Sequence, residues 1–292
     1  MSAPEFLAVD WGTTNRRVYA IDAAGAVLAT ERDDRGILAI GRDGFAAEAA
    51  AIRARFGDLP MLCAGMVGSV NGWAEAAYRP CPAGLDELAE ALTWVEPGKT
   101  AIVPGVSYLG DARADVMRGE EVQLLGAVAA GMAPADALLC QPGTHCKWAV
   151  MAGGAIATIR TTMTGELFAL LGKHSLLADF MTGTVADGPA FRDGLAASAN
   201  RTLLGDLFGA RASVLTGGRG RADIAAYVSG LLVGSDVREQ DFADGTVVHL
   251  LADPTLGALY SAAIAAAGGE AVLLDSHDAF VAGITRLWRL IR

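Results

Sequence analysis

The spacing of apolar positions predicts an opening strand, Phe6-Leu-Ala-Val, that ends in Asp10, turns through Gly12, Thr13 and Thr14, and re-enters a second strand reaching Asp22. A third strand is predicted over 26–31, behind the Ala23-Ala24-Gly25 turn. Phe45, Ala49, Ile52 and Phe56 recur at helical spacing and predict a helix over 45–56. Residues 60–65 read as a short buried strand that runs into a glycine-rich loop ending at Trp73, a residue read as exposed. A helix over 85–94 and a strand over 100–103 follow, the latter ended by Pro104-Gly105. Next, two adjacent acids, Glu120 and Glu121, open an apolar helix-forming run to Ala130.

The second half restarts with a strand, a Gly-Thr turn and a strand over 137–151, then a further strand to 159. Residues 165–227 read as mostly helical, including helices over 166–180 and 191–208, with a glycine loop at 214–220 and a helix to about Leu232. A strand over 246–251, a helix over 255–267, a strand over 271–275 and a helix over 279–290 complete the pattern. Alternation of strand and helix at this spacing indicates an α/β chain with a parallel portion of sheet covered by helices.

Composition narrows the classes. A chain of 292 residues, 52% hydrophobic and 19% charged, has ample material for a core in one large or two ordinary domains. The net charge of −10 argues against a nucleic-acid surface, which calls for a basic stripe. Cys63, Cys81, Cys140 and Cys146 form no CxxC pair and have no histidine at zinc-finger spacing, so they read as reduced thiols of a cytoplasmic protein. No basic and apolar leader and no membrane-length apolar span are seen, so no membrane partner is expected. The Ala-rich C-terminal helices leave both a homodimer face and a plain core open.

The candidate chemistry begins at the first turn. Gly12 lets amide groups approach a bound group closely, Thr13 and Thr14 offer hydroxyls to phosphate oxygens, and Asp10 stands where a carboxylate can hold magnesium directly or through water. Asp, Gly and Thr also build ordinary turns, so this hairpin alone leaves both readings open. A second turn favours phosphate: Gly12-Thr13-Thr14-Asn15-Arg16 falls on Gly143-Thr144-His145-Cys146-Lys147 when the halves are laid over each other. Each offers glycine, a hydroxyl and a cation between apolar strands, and the repetition predicts two related domains facing one nucleotide.

Four motifs in order resemble one family across essentially the whole chain. These are Asp10-Trp-Gly-Thr-Thr with Arg17, the Cys-Ala-Gly-Met-Val-Gly-Ser loop at 63–69 with Gly72-Trp73, Asp115-Val-Met-Arg-Gly-Glu-Glu121, and Pro142-Gly-Thr-His-Cys-Lys-Trp148. Together they resemble the 2-dehydro-3-deoxygalactonokinase family, within the superfamily of sugar kinases, heat-shock protein 70 and actin. The resemblance implies two actin-like (ribonuclease H-like) domains, with mixed sheets flanked by helices and an interdomain cleft, over 1–112 and 113–292. The last helix is a candidate to pack back on the first domain. It also implies ATP-dependent phosphorylation of 2-dehydro-3-deoxy-D-galactonate at its 6-hydroxyl, in galactonate or galactose breakdown.

The resemblance distributes the roles. Asp10 would hold Mg2+; Gly12, Thr13, Thr14, Gly143, Thr144, His145 and Lys147 would grip ATP phosphates, with Gly217 and Gly218 as further nucleotide contacts. Glu120 or Glu121, with Asp115 in reserve, would serve as the base. The sugar acid would meet Asn15, Arg17, Gly65, Met66, Gly68, Ser69, Trp73 and Arg118, the two arginines being the candidates for its carboxylate. Cys146 departs from an expected serine, and Val70-Asn71 from a more polar or basic stretch. A phosphohydrolase or a nucleotide sensor of the same superfamily would use the same turns.

Overall fold

The structure is a computed structural model that describes residues 2–110 and 113–292. The boundary expected at 112 lies outside the described residues. In chain order the first elements are β1 (Pro4–Trp11), β2 (Arg16–Asp22), β3 (Val27–Asp33), α1 (Phe45–Phe56) and β4 (Met61–Ala64). They are followed by β5 (Arg79–Pro80), α2 (Leu85–Glu90), β6 (Thr93–Glu96), β7 (Thr100–Ile102), β8 (Val106–Leu109), β9 (Ala114–Met117) and α3 (Glu120–Ala129). Next come β10 (Ala137–Gln141), β11 (Cys146–Ala152), β12 (Ala155–Thr162), α4 (Thr164–His174), α5 (Pro189–Ser198) and α6 (Leu203–Leu215). The last are α7 (Ile224–Arg238), β13 (Val247–Leu251), α8 (Pro254–Ala266), β14 (Glu270–Leu274) and α9 (Ser276–Leu290).

Two compact units result. One comprises Met1–Asp136, Ala149–Ile159 and Ser276–Arg292; the other comprises Ala137–Trp148 and Arg160–Asp275. Helix α3, which follows the expected boundary, therefore groups with the first unit. The mixed sheets are ordered β3-β2-β1-β4-β7-β6 and β12-β11-β10-β13-β14, with a smaller β5-β8-β9 sheet. The antiparallel β1–β2 and β2–β3 pairs continue into the parallel β1–β4 and β4–β7 pairs, and β10, β13 and β14 run parallel, as the strand–helix alternation predicts.

In the first unit, alternation along β1 turns Leu7, Val9 and Trp11 into a core with Phe45, Ala49 and Ile52 of α1. The other face of the sheet meets α9, where Phe6 stacks on Trp288 at 4.8 Å and Tyr19 leans on Phe280 at 5.6 Å. Helix α9 in turn crosses α3 so closely that only glycines fit: a Cβ on Gly126 would overlap the Ala279 carbonyl, and one on Gly283 would overlap the Val122 carbonyl. In the second unit, Cys140, Cys146, Trp148, Val248 and Leu250 pack with Phe191 and Leu195 of α5 and Leu259 and Ile264 of α8.

Three expectations are corrected. The helix over 85–94 stops at Glu90, and Thr93–Glu96 becomes an antiparallel partner of β7, as its β-branched and aromatic residues favour. The helix over 191–208 is two helices, broken where Arg201 takes a left-handed φ of 56°. The helix over 166–180 runs from Thr164 only to His174. None of the described helices is long and apolar enough to cross a membrane.

Gly126→Val should lower the unfolding free energy by about 1–3 kcal/mol, because the α3–α9 crossing has no room for a side chain. Gly205→Ala, at an exposed α6 position with open space around it, should raise it by about 0.5–1 kcal/mol. Urea midpoints of the two variants check both signs.

Candidate active site

The register of the first sheet sets out a row of charge. Asp10 pairs with Arg17 across β1 and β2, and Arg17 pairs with Arg32 across β2 and β3. Directly paired residues project from the same face, so the three charges lie side by side, on the face opposite Trp11 and its core. Beyond them the turn closes with Gly12 N–H donating to the Asn15 carbonyl at 2.9 Å. Backbone amides of Gly36, Ile37 and Leu38 donate to the carbonyls of Thr14, Gly12 and Thr13 at 3.2, 3.0 and 3.2 Å, bracing the turn from behind. Thr13 and Thr14 remain exposed, and Asn15 Nδ2 donates to Thr14 Oγ1 at 3.0 Å. Asp10, residues 12–17 and Arg32 line a pocket of about 220 Å³.

Arg16, the cation matched to Lys147 in the overlay of turns, has another task. It is 2% exposed, binds Asp33 at 2.6 Å and Glu48 at 2.9 Å, and lies over the Trp11 ring. Arg17 is the cation on the Asp10 face, where its guanidinium meets His277 at the start of α9. Arg32 carried no signal in the sequence, because only the strand register reveals its neighbours.

The end of β1 also receives α3. Gly65 has φ 98°, and a Cβ there would stand 2.8 Å from the Trp11 carbonyl; a Cβ on Gly119 would stand 3.1 Å from Gly65 Cα. This nesting of three backbones places Glu120 near Asp10, close enough to influence its titration. Asp10 is pushed up to about 6, chiefly by burial, with Arg17 pulling it down and Glu120 adding to the rise. Glu120 itself accepts from the Arg118 N–H at 3.2 Å. Glu121 is 0% exposed, accepts from the Gly119 N–H at 2.6 Å through Oε2, and leaves Oε1 without a hydrogen-bond partner. Burial first, and Glu120 second, push Glu121 up to about 8, so it is a neutral acid at pH 7.

The other sugar-acid candidates divide. Arg118 is 8% exposed, lies 4.3 Å over the Tyr78 ring, donates to the Ala76 carbonyl at 2.7 Å and fills the space beside Gly68. It braces the 65–76 segment from within. Trp73, read as exposed, is partly buried and stacks on Phe45 at 6.3 Å, because the loop folds back over the core rather than away from it. Met66 packs against the same core, and the Ser69 hydroxyl is buried. Asp115 lies on β9 opposite Tyr108, paired with Arg113 at 3.4 Å.

In the second unit, the turn at Gly143, Thr144 and His145 is seated on the start of α4. Glu166 N–H donates to the Thr144 carbonyl at 2.8 Å, and the Glu166 carboxylate meets His145 Nε2 at 2.6 Å. Lys147 is buried and donates to Thr161 Oγ1 at 3.1 Å. Cys146 stands in the core with its sulfur 3.6 Å from that of Cys140, so the residue expected in place of a phosphate serine is a packing residue. Sequence reasoning missed Asp236, which accepts from Trp148 at 2.9 Å, Thr164 at 2.8 Å and Tyr260 at 2.6 Å. That buried carboxylate ties β11, α4, α7 and α8 together beside the turn.

Against the same turn lies an apolar pocket of about 250 Å³, with Gly143, Gly165, Phe168, Leu232, Leu256 and Leu259 in its walls. Gly217 and Gly218 are absent from that lining. They follow the C-terminus of α6, with Gly218 N–H donating to the Ser213 carbonyl at 2.7 Å.

Because Glu121 holds its proton far above the ordinary 4.5 of a glutamic acid, the folded state binds more protons than the unfolded chain between about 4.5 and 8. Stability is therefore lost as pH rises through that window. Glu121→Gln should gain stability relative to the parent across it and show no relative gain below pH 4, as read from urea unfolding at a series of pH values.

The family model for 2-keto-3-deoxy-galactonokinase matches residues 10–287. A protein of Rhizobium meliloti (strain 1021), described as a probable 2-dehydro-3-deoxygalactonokinase, is 35% identical over 99% of this chain and 98% of its own. The 2-dehydro-3-deoxygalactonokinase of Escherichia coli (strain K12) is 36% identical over 96% of each. A crystal structure from Sinorhizobium meliloti carrying the same enzyme name superposes with a TM-score of 0.90 at 35% identity, covering 98% of this chain and 99% of that one. The chain belongs to the 2-keto-3-deoxy-galactonokinase family.

Proposed function

We propose that this kinase transfers the γ-phosphoryl group of ATP to the 6-hydroxyl of 2-dehydro-3-deoxy-D-galactonate, in galactonate or galactose breakdown. The observation that carries the reading is a buried Asp10, within electrostatic influence of Glu120, beside a braced turn of exposed hydroxyls in a chain of this family. Phosphoryl transfer asks a protein chiefly to position its reactants and to stabilise charge. The Thr13 and Thr14 hydroxyls donate to phosphate oxygens, and the turn holds them still because backbone donors of 36–38 occupy its carbonyls.

The residues present fit magnesium. Glu120 is near enough to raise the titration of Asp10, and burial disfavours the charge on Asp10, a cost that a divalent cation offsets. Magnesium bound by one or two carboxylates keeps several waters and takes phosphate oxygens as further ligands. Asp10 would hold it, and when bound it would neutralise charge on the phosphates. Glu120 accepts the proton of the attacking hydroxyl. Glu121 is neutral and enclosed, and Asp115 is committed to Arg113, so neither suits that task. The apolar pocket beside Gly143 has walls suited to a purine ring, and the adjoining turn offers the exposed Thr144 to a phosphate, while Lys147 is buried with its amine on Thr161.

A coupled ADP-release assay across a panel of sugar acids tests the reading, with the gluconate-derived epimer included. Release that depends on 2-dehydro-3-deoxygalactonate is expected; phosphate release without any sugar acid would identify a hydrolase, and ATP binding without turnover a sensor. Asp10→Asn and Glu120→Gln should each lower kcat by about 10²–10⁴-fold with the fold intact. Glu121→Gln and Asp115→Asn should retain most of the activity. Near-parental turnover in Asp10→Asn would remove its assigned role.

A further inference from the structure

We propose that Arg32, on the edge strand of the first sheet, recognises the carboxylate of the sugar acid together with Arg17. The inference rests on the kinase reading above and extends it to a residue outside every motif of the sequence.

Arg32 lines the same pocket as Asp10, the phosphate turn and Arg17, and the strand register fixes its side chain on their face. It is exposed, and it makes no hydrogen bond or ion pair among the described residues. Its neighbours along β3 do not neutralise it. Glu31 is held by Arg55 at 2.6 Å and Asp33 by Arg16 at 2.6 Å, both on the opposite face of the sheet. Arg17 is held in place by His277, so the pair combines one anchored cation with one uncommitted cation.

The spacing suits a six-carbon acid. Two strand separations of about 4.8 Å put the Arg32 backbone roughly 10 Å from that of Asp10. In an extended six-carbon acid, five carbon–carbon bonds of about 1.5 Å place the carboxylate carbon roughly 6 Å from the carbon that carries the reacting hydroxyl. With that hydroxyl at Asp10 and Glu120, the carboxylate points along the row, within reach of two long guanidinium side chains. A carboxylate accepts a guanidinium in a planar two-bond geometry that an ammonium does not offer. Arg118, the other arginine expected from the sequence, is enclosed against Tyr78 with one nitrogen on the Ala76 carbonyl and Nε and Nη1 buried without a hydrogen-bond partner among the described residues, whereas Arg32 is exposed on the Asp10 face.

The test is steady-state kinetics of Arg32→Gln and Arg32→Lys with 2-dehydro-3-deoxygalactonate and with its uncharged carboxamide. Arg32→Gln should raise KM for the acid about 10–100-fold while KM for ATP stays unchanged and kcat moves by less than a few-fold. The preference for acid over carboxamide should collapse in the same variant, and Arg32→Lys should recover part of it. An unaltered KM for the acid, or a change confined to KM for ATP or kcat, would overturn the assignment. If the parent enzyme itself ignores 2-dehydro-3-deoxygalactonate, the kinase reading fails; if the parent is active and Arg32→Gln matches it, only the Arg32 assignment fails.

Discussion

The candidate active site depends on one close approach of backbone to backbone. Gly65 lies against the Trp11 carbonyl and Gly119 lies against Gly65, so three segments from distant parts of the chain share a space that admits no side chain. One of them carries Asp10 near the end of β1, one opens the loop of 65–73, and one starts α3 at Glu120. Without that nesting the two carboxylates would belong to separate surfaces. The glycine crossing of α3 and α9 holds the helix from its other flank, so the start of α3 is fixed by backbone contact on two sides.

Electrostatics follow from this packing. Placing Asp10, Glu120 and Glu121 within one small region, partly out of water, makes full ionisation of all three unfavourable. The protein resolves the conflict by enclosing Glu121 as a neutral acid that holds the Gly119 amide, while Arg17 supports the charge on Asp10. The adjacent glutamates thus differ in kind: one is a structural acid, the other an accessible base candidate. In the second unit the buried carboxylate is Asp236, and three donors satisfy it.

Much of the fold was legible because local pattern and tertiary packing agree. The spacing of Phe45, Ala49 and Ile52 marks α1 from end to end, and those residues are the ones that meet the sheet. The strand at Thr93–Glu96 was hidden because a four-residue edge strand carries too little periodicity to stand out from the helix before it. The break at Arg201 was hidden because apolar residues continue on both sides of it, while a backbone dihedral leaves no trace in a hydrophobic pattern. At the site, Asp10 and the turn could be read from local chemistry, whereas the separation of Glu120 from Glu121 required knowing which carboxylate points inward. Arg16 and Arg17 are adjacent in sequence and opposite in destination, and Arg32 gains its meaning only from strand register.

The return of the closing helix to the first unit has a consequence for how the protein is made. During synthesis, β1, β2 and α3 emerge long before Ser276–Leu290, the segment that covers Phe6 and Tyr19 and locks against Gly126. A nascent chain must keep that apolar face out of trouble while the whole second unit is translated. The first unit to appear from the ribosome is consequently the last to be completed, and its assembly waits on the helix that brings His277 to Arg17.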